Sequence, residues 1–591
     1  MSESAVLRVL RERPFQIVLA LVLIMVLIEA IFYSTQAFAN FAKQGNDDIM
    51  RLLSVRDWLA GQGWYDVAQY RAVPPEGVSL HWSRYLDLGI AAIILPLSWF
   101  LPMPTAEVLA AVIWPTFVMM LNLMVIGFAT RRLFGVPAAC FALLCTALWP
   151  VTGDLHSGGG NLDHHNVQML TMTLMALAVV WPDRPVFAGI VGGFSAAFSL
   201  AIGLESLPFV IVIGTVVLLR VILDGTALTR QLLVSFCLTL GLSAIVLWLG
   251  QAAPASRLQP ICDQLGTPTL ALVWIAAGAS VLPLAFGPVF RRPVVHLAIT
   301  AILTAIGIFA AWELVSPCLD GPYANLPPVL QEFISGRIIE ARPGLDYAIS
   351  RPAPFVTFVL PVFVTTLAGF AILASHRREQ RNTTALFGLL FVCLAGIAMI
   401  FVQMRTVIMA ASVVPILAGY VLACLLDRYL KGRKPISALL LLVFSTAVMS
   451  PGQFAAAIRP FVPVTDRSAL TQAADCRTYD ALIALNEAPP GLILNNFNFG
   501  PSLLWATHHD VLSVSYHRSA AAMRNSIVPF ELEAAEMETF VKDSGATYLL
   551  LCKGYQYRGA PARALADGGT VDWLRPVPLS DENQLLFEVL R

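Results

Sequence analysis

Between Pro14 and about Ser450 the chain is a succession of apolar runs of 16–25 residues, most of them bounded by Arg or Pro. A water-soluble core cannot take up so many runs of this length. They match the ~20 residues that a helix needs to cross a hydrocarbon layer about 30 Å thick. Only 13% of residues are charged and 57% are hydrophobic, with a mean hydropathy of +0.72, whereas soluble domains carry about 25% charged residues. This excludes a cytosolic enzyme and a disordered chain. The 38 basic and 38 acidic residues cancel, leaving no bulk field that would call for nucleic acid. Beyond Ser450 the apolar runs stop and the composition becomes that of a soluble protein. The chain is therefore predicted to be a polytopic α-helical membrane protein over residues 1–450, embedded in membrane lipids, with a soluble C-terminal domain over residues 451–591. Arg8, Arg11 and Arg13 precede about 22 apolar residues without a clear small-residue cleavage site, so the first run is expected to be a span rather than a cleaved signal.

Fourteen apolar stretches can be counted, beginning near residues 15, 86, 106, 136, 166, 186, 207, 231, 269, 295, 353, 384, 405 and 435. The second, residues 86–101, is short, contains Pro96 and runs into Pro102 and Pro104. It is expected to be re-entrant or interfacial, which leaves thirteen spans. With the N-terminus inside, seventeen basic residues fall in inner loops: Arg8, Arg11, Arg13, Arg131, Arg132, Arg184, Arg220, Arg230, Arg291, Arg292, Arg377, Arg378, Arg381, Arg428, Lys431, Arg433 and Lys434. The short outer loops hold two, Arg257 and Arg405. That asymmetry sets the orientation by the positive-inside rule. It places residues 38–105, 315–352 and the C-terminal domain outside, which for a bacterial inner membrane means the periplasm.

Five of the nine cysteines lie within spans, and Cys262, Cys318, Cys476 and Cys552 lie in segments placed outside, where disulfides persist. Cys262 and Cys318 sit in outer loops separated by two spans, expected to pack as a hairpin. Cys476 and Cys552 share the soluble domain. The expected pairs are 262–318 and 476–552. Strand-like runs at Gly491-Leu-Ile-Leu-Asn495, Val511-Leu-Ser-Val514 and Thr547-Tyr-Leu-Leu-Leu551, with a helix former-rich stretch over residues 530–544, predict an α/β domain.

Four polar clusters interrupt the apolar pattern, all on the outer side. Gly45-Asn46-Asp47-Asp48 opens an amphipathic stretch, where an acidic residue can also serve as a helix cap. The stretch from His156 to Gln168 holds three glycines, which permit close backbone approach to a ligand, and then Asp163-His164-His165. Asp163 and His165 are two apart, so in an extended segment both point the same way, and a carboxylate with an imidazole suits a divalent cation. Arg337-Ile-Ile-Glu340-Ala-Arg-Pro343 lies in the long outer loop, and Arg405 stands at the outer edge of a span. There it either snorkels or binds an anion.

Taken in order, these clusters resemble the type C glycosyltransferases (GT-C), closest in layout to the catalytic subunits of oligosaccharyltransferases. In that family the first outer loop carries an Asp opening a helix that runs to aromatic-Leu and then aromatic-Tyr; Asp48, Trp58-Leu59 and Trp64-Tyr65 keep the spacing, which favours Asp48 over Asp47. Asp163-His164-His165-Asn-Val-Gln168 is similar to the family's Asp-His-His-x-x-Glu box, with Gln168 in place of Glu. Glu340 matches the T-I-x-E element, with Arg337 in place of Thr, and Arg405 matches the Arg of the V-R-L-M-L context. The family's W-W-D-Y-G acceptor block falls on Asn496-Phe497-Asn498-Phe499-Gly500, without the tryptophans and the Asp, which points away from protein sequons.

The resemblance implies an inverting transferase that moves a sugar or glycan from a polyprenyl phosphate or diphosphate to a glycan, lipid or protein acceptor. It implies one Mg²⁺ or Mn²⁺ held by Asp48, Asp163, His165 and Glu340, with Asp48 or Glu340 orienting or deprotonating the acceptor and Arg405 on the donor phosphate. On the same reading the loop of residues 65–87, with Pro74-Pro75, His81, Trp82 and Arg84, is expected to shape the sugar or acceptor cleft, with Trp82 either stacking on a sugar or anchoring at the interface. Two alternatives stay open: a single-sugar transferase acting on a lipid or polysaccharide, and a transporter or flippase.

Overall fold

The computed structural model describes residues 3–591 except 182, 287–291, 322, 325, 339–340, 376–379 and 462–475. Glu340 and the inner-loop residues Arg291, Arg377 and Arg378 therefore lie outside the described residues. Among the described residues nine helices are long and apolar enough to cross a membrane, from Arg13–Ser34 to Thr383–Val402. Two bent pairs, Met404–Ala411 with Val414–Gly432 and Pro435–Met449 with Gly452–Ile458, bring the number to eleven. The other two expected spans are the apolar helices Val136–Leu148 and His165–Val180, of 13 and 16 residues. At 1.5 Å per residue they rise only about 20–24 Å. Both are shorter than an ordinary span and pack inside the bundle: a Cβ on Gly419 would meet the Ala138 carbonyl at 2.4 Å, and the His165–Val180 helix is buried along almost its whole length. The helix Arg84–Ser98 does not reach spanning length and ends at Trp99 and Phe100, both more than three-quarters exposed. Large apolar side chains such as Phe32, Val246 and Phe309 are also exposed on the long helices. In water they would be an aggregation liability, and in lipid they are the solvated face.

In the first loop β1 (Ala68–Gln69) pairs antiparallel with β2 (Val78–Ser79), and the C-terminal region forms a five-stranded mixed sheet in the order Asp510–Val511, Leu492–Leu494, Tyr548–Cys552, Gln584–Val589, Leu574–Val577. Strands β3 (Leu492–Leu494), β4 (Asp510–Val511) and β5 (Tyr548–Cys552) are parallel, and β6 (Leu574–Val577) and β7 (Gln584–Val589) add antiparallel. The helix expected within residues 530–544 spans Ala534–Asp543. Every residue of β5 is buried.

The sheet is joined to the first loop at its edge. The Val511 N–H donates to the Arg71 carbonyl at 2.9 Å, and Val73 N–H returns to Val511 at 2.7 Å. Arg71 also reaches the Leu504, Thr507 and His509 carbonyls. Loops after several different helices thus meet on one side of the bundle, and Cys262–Cys318 and Cys476–Cys552 are disulfide-bonded there, with Cα separations of 5.2 and 5.9 Å. On another part of the bundle Arg132 pairs with Asp183 at 2.5 Å, joining two of the loops expected inside.

Under the first loop lies a buried charge cluster. The helix Asn46–Leu59 presents Arg51, 1% exposed, to Asp87 at 3.2 Å, and Arg84 reaches the other Asp87 oxygen at 3.0 Å. Arg84 also holds the Ser54 carbonyl, and Trp82 lies beneath the Arg51 guanidinium at 4.2 Å. Removing one member of a buried ion network strands the remaining charge and costs about 3–5 kcal/mol, whereas an exposed pair contributes under ~1 kcal/mol. Asp87→Ala should therefore destabilise the purified protein strongly, while Asp183→Ala, which breaks the half-exposed Arg132 pair, should barely shift its thermal unfolding. Equal losses would contradict this ranking.

Candidate active site

A cavity of about 800 Å³ opens where the first loop, the His156–His165 segment, the spans and the C-terminal domain meet. Asp47, Asp48, His156, Asp163, His165, Arg351 and Arg405 line it, with Phe333, Ile338, Phe358, Asn496, Phe497 and Asn498. Asp48 is the third residue of the helix Asn46–Leu59, whose N-cap is Gly45. Its carboxylate does not cap its own helix. Instead its Oδ1 accepts the Leu162 and Asp163 N–H groups at 2.8 and 2.9 Å, which fixes the second loop on the first.

Asp163 and His165 do come together, with Asp163 Oδ2 3.3 Å from His165 Nε2. The cause is not an extended segment. His164 is already helical and His165 opens the helix, so the pair converges at a helix N-terminus. His164 points away from the cavity, with Nδ1 2.6 Å from Asp163 Oδ1 and Nε2 3.3 Å from Glu205. Asp163, His164 and His165 offer ligand atoms within 4.8 Å of one another. The buried His165 Nδ1 has no hydrogen-bond partner among the described residues.

The two carboxylates are held differently. Burial, then the neighbouring Asp163 charge, pushes the Asp48 carboxyl up to about 8. Burial acts the same way on Asp163, but His164 and His165 beside it outweigh that and hold it well below the usual carboxylate range. Two carboxylates, one imidazole with an unshared ring nitrogen, and an electrostatic cost for ionising both acids together are a donor set that fits a divalent cation.

Arg405 lines the same cavity from the break at Met404–Thr406, where its Nε donates to Gln403 at 2.9 Å, and it hydrogen-bonds Tyr323. Asp47 meets the Tyr516 phenol instead of Asp163. Gln168 is fully buried and donates to the Gly203 carbonyl at 3.0 Å. Trp82 and Arg84 belong to the charge cluster and do not line the cavity, and His81 lies beside His517. The glycines act within the chain rather than on a ligand: a Cβ on Gly159 would strike Tyr33 at 2.6 Å. Two residues were not singled out for the site. Glu205 is the carboxylate behind His164, and its place at an apolar span end was the available signal. His156 stacks edge-on to His165 at 5.2 Å.

No protein-family model matches the chain, and no curated protein is similar to it in sequence. Solved structures are similar. The archaeal oligosaccharyltransferase AglB from Archaeoglobus fulgidus, in complex with an inhibitory peptide and a dolichol-phosphate, matches with a TM-score of 0.63 at 15% identity, over 91% of this chain and 69% of that one. The Archaeoglobus fulgidus oligosaccharyltransferase tethered to an acceptor peptide with the NVT sequon gives 0.64 at 14%, over 98% and 74%. Its complex with Zn and sulfate gives 0.52 at 14%, over 97% and 73%. The chain therefore shares the fold of these oligosaccharyltransferase structures.

Gly160 has φ +90°, and a Cβ there would overlap Tyr33 Oη and Gln44 Nε2. Gly160→Ala should cost about 1–3 kcal/mol and loosen the segment that carries Asp163. Faster hydrogen exchange over residues 154–164 is the expected readout, and unchanged exchange would show that the glycine does not set the loop.

Proposed function

We propose that the protein is an inverting glycosyltransferase that moves a sugar or glycan from a polyprenyl phosphate or diphosphate carrier to an acceptor at the outer face of the membrane. The observation that carries the reading is the composition of one cavity. Carboxylates and an imidazole (Asp48, Asp163, His165) share it with the cations Arg351 and Arg405, and it extends from the membrane helices, at Phe358 and Val407, to the C-terminal domain, at Asn496 and Tyr555. A lipid-linked phosphate needs this combination: an apolar flank for the chain and positive charge for the headgroup. The matched oligosaccharyltransferase structures, with dolichol-phosphate and acceptor peptide, support a lipid-linked donor for this fold.

Mg²⁺ or Mn²⁺, held by Asp48, Asp163 and His165, and by Glu340 as the motif implies, would supply charge neutralisation to the leaving phosphate. Arg405 pairs with the phosphate through charge-assisted hydrogen bonds. His164, braced by Glu205, orients Asp163. Asp48 or Glu340 orients the acceptor nucleophile opposite the leaving group, and a single displacement inverts the anomeric carbon. Asn496, Phe497 and Asn498 line the cavity at the positions where the resembled family's W-W-D-Y-G block would place its tryptophans and Asp, which supports a glycan or lipid acceptor over a peptide sequon. The seventeen-to-two distribution of basic residues supports a bacterial inner-membrane location with the C-terminal domain in the periplasm.

Deletion of the gene should make a polyprenyl-linked sugar accumulate. The wild-type chain should reverse this and Asp163→Asn, which keeps the shape but removes the charge, should not. Arg405→Ala should chiefly raise the donor KM, because a phosphate clamp contributes ground-state binding. Full complementation by Asp163→Asn would instead favour a transporter.

A further inference from the structure

His81 of the first loop, Asp263 of the loop after the Ala227–Gln251 helix and His517 of the C-terminal region come together although they are spread over most of the chain. Their ligand atoms lie within 4.8 Å of one another. His517 Nε2 is 2.8 Å from Asp263 Oδ2, and the His81 and His517 rings are 4.9 Å apart. None of the three lines the active-site cavity.

We propose that His81, Asp263 and His517 form a second, structural divalent-metal site, of the zinc type, that rivets the C-terminal region to two membrane-proximal loops. Two imidazoles and a carboxylate are a common zinc donor set, and the fourth position can be filled by water. Metal–ligand bonds of about 2.0–2.2 Å put neighbouring ligand atoms about 3.3 Å apart, so the His517–Asp263 contact would open by about half an ångström and wider separations in the cluster would close by up to about 1.5 Å. The cation takes the place of the proton shared between His517 Nε2 and Asp263 Oδ2.

The surroundings are built to hold this geometry. Arg518 forks onto Asp263, with Nε to Oδ2 at 2.7 Å and Nη2 to Oδ1 at 2.6 Å. A carboxylate has about four lone-pair sites, so this leaves room for a metal and fixes the ligand plane, as outer-shell partners of metal ligands do. Cys262, adjacent to Asp263, is tied to Cys318. Tyr323 packs edge-on to His517 at 5.2 Å and also hydrogen-bonds Arg405, so the rivet stands one side chain behind the cavity.

The test uses the full chain in detergent, stripped of metal and titrated with Co²⁺. An Asp163→Ala background disables the other candidate site. The expected result is about one Co²⁺ per chain with intense visible bands of four-coordinate geometry, and a rise in the unfolding temperature on binding. Adding His517→Ala or His81→Ala should weaken binding at least tenfold and remove those bands. If the monodisperse Asp163→Ala chain takes up no Co²⁺ with such bands, the proposal is overturned whether or not the histidine variants fold. Retention of stoichiometric binding and an unchanged spectrum in both histidine variants would overturn it equally.

Discussion

A single carboxylate oxygen, Asp48 Oδ1, holds the arrangement together by accepting the backbone N–H groups of Leu162 and Asp163. Asp48 is 7% exposed, and a carboxyl group buried without hydrogen-bond partners is costly. Here the donors come from the neighbouring loop, so satisfying Asp48 and positioning Asp163 are the same event. Behind it, the helix that carries Asp48 is anchored by Arg51 to Asp87 and by the bidentate Arg56–Glu107 pair, at 2.9 and 2.6 Å. Helix, loop and cavity wall are therefore tied to one another through buried hydrogen bonds and ion pairs.

The C-terminal region completes that body rather than hanging from it. Arg71 and Val511 extend the sheet edge onto the first loop, Arg477 donates to the Gln44 carbonyl at 2.6 Å, and Arg518 reaches both Asp263 and the Leu80 carbonyl. Most of these contacts are arginine forks on carbonyls and carboxylates, which fix direction as well as distance. They keep Asn496 and Phe497 opposite Asp163, so a wall formed about 330 residues later in the chain becomes part of the same cavity.

How much of this could be read from residues alone depended on whether the signal was local. Apolar runs report spans directly, because lipid accepts only self-satisfied helices, although they do not reveal that Val136–Leu148 and His165–Val180 are short. The Asp163–His165 spacing is local and pointed to the right pair, although a helix start rather than a strand brings them together. The strands β6 and β7 were not anticipated: β6 carries Pro576 and is half-exposed at an edge, and periodicity over four residues is faint. His81, Asp263 and His517 have no spacing to detect, and Glu205 gains meaning only once His164 turns toward it. Trp82, which suggested a sugar platform, is instead the floor beneath Arg51.

The central claim is that Asp48, Asp163, His165 and Arg405 surround one polyprenyl-linked phosphate. It is tested most directly by a cryo-EM map of the purified chain in lipid nanodiscs with polyprenyl phosphate and Mn²⁺. The expected map shows headgroup density within hydrogen-bond reach of Arg405, a cation peak contacting Asp163 and His165, and the lipid chain leaving past Phe358. A headgroup bound elsewhere on the bundle, with the carboxylates around Asp163 unchanged and unoccupied, would contradict it.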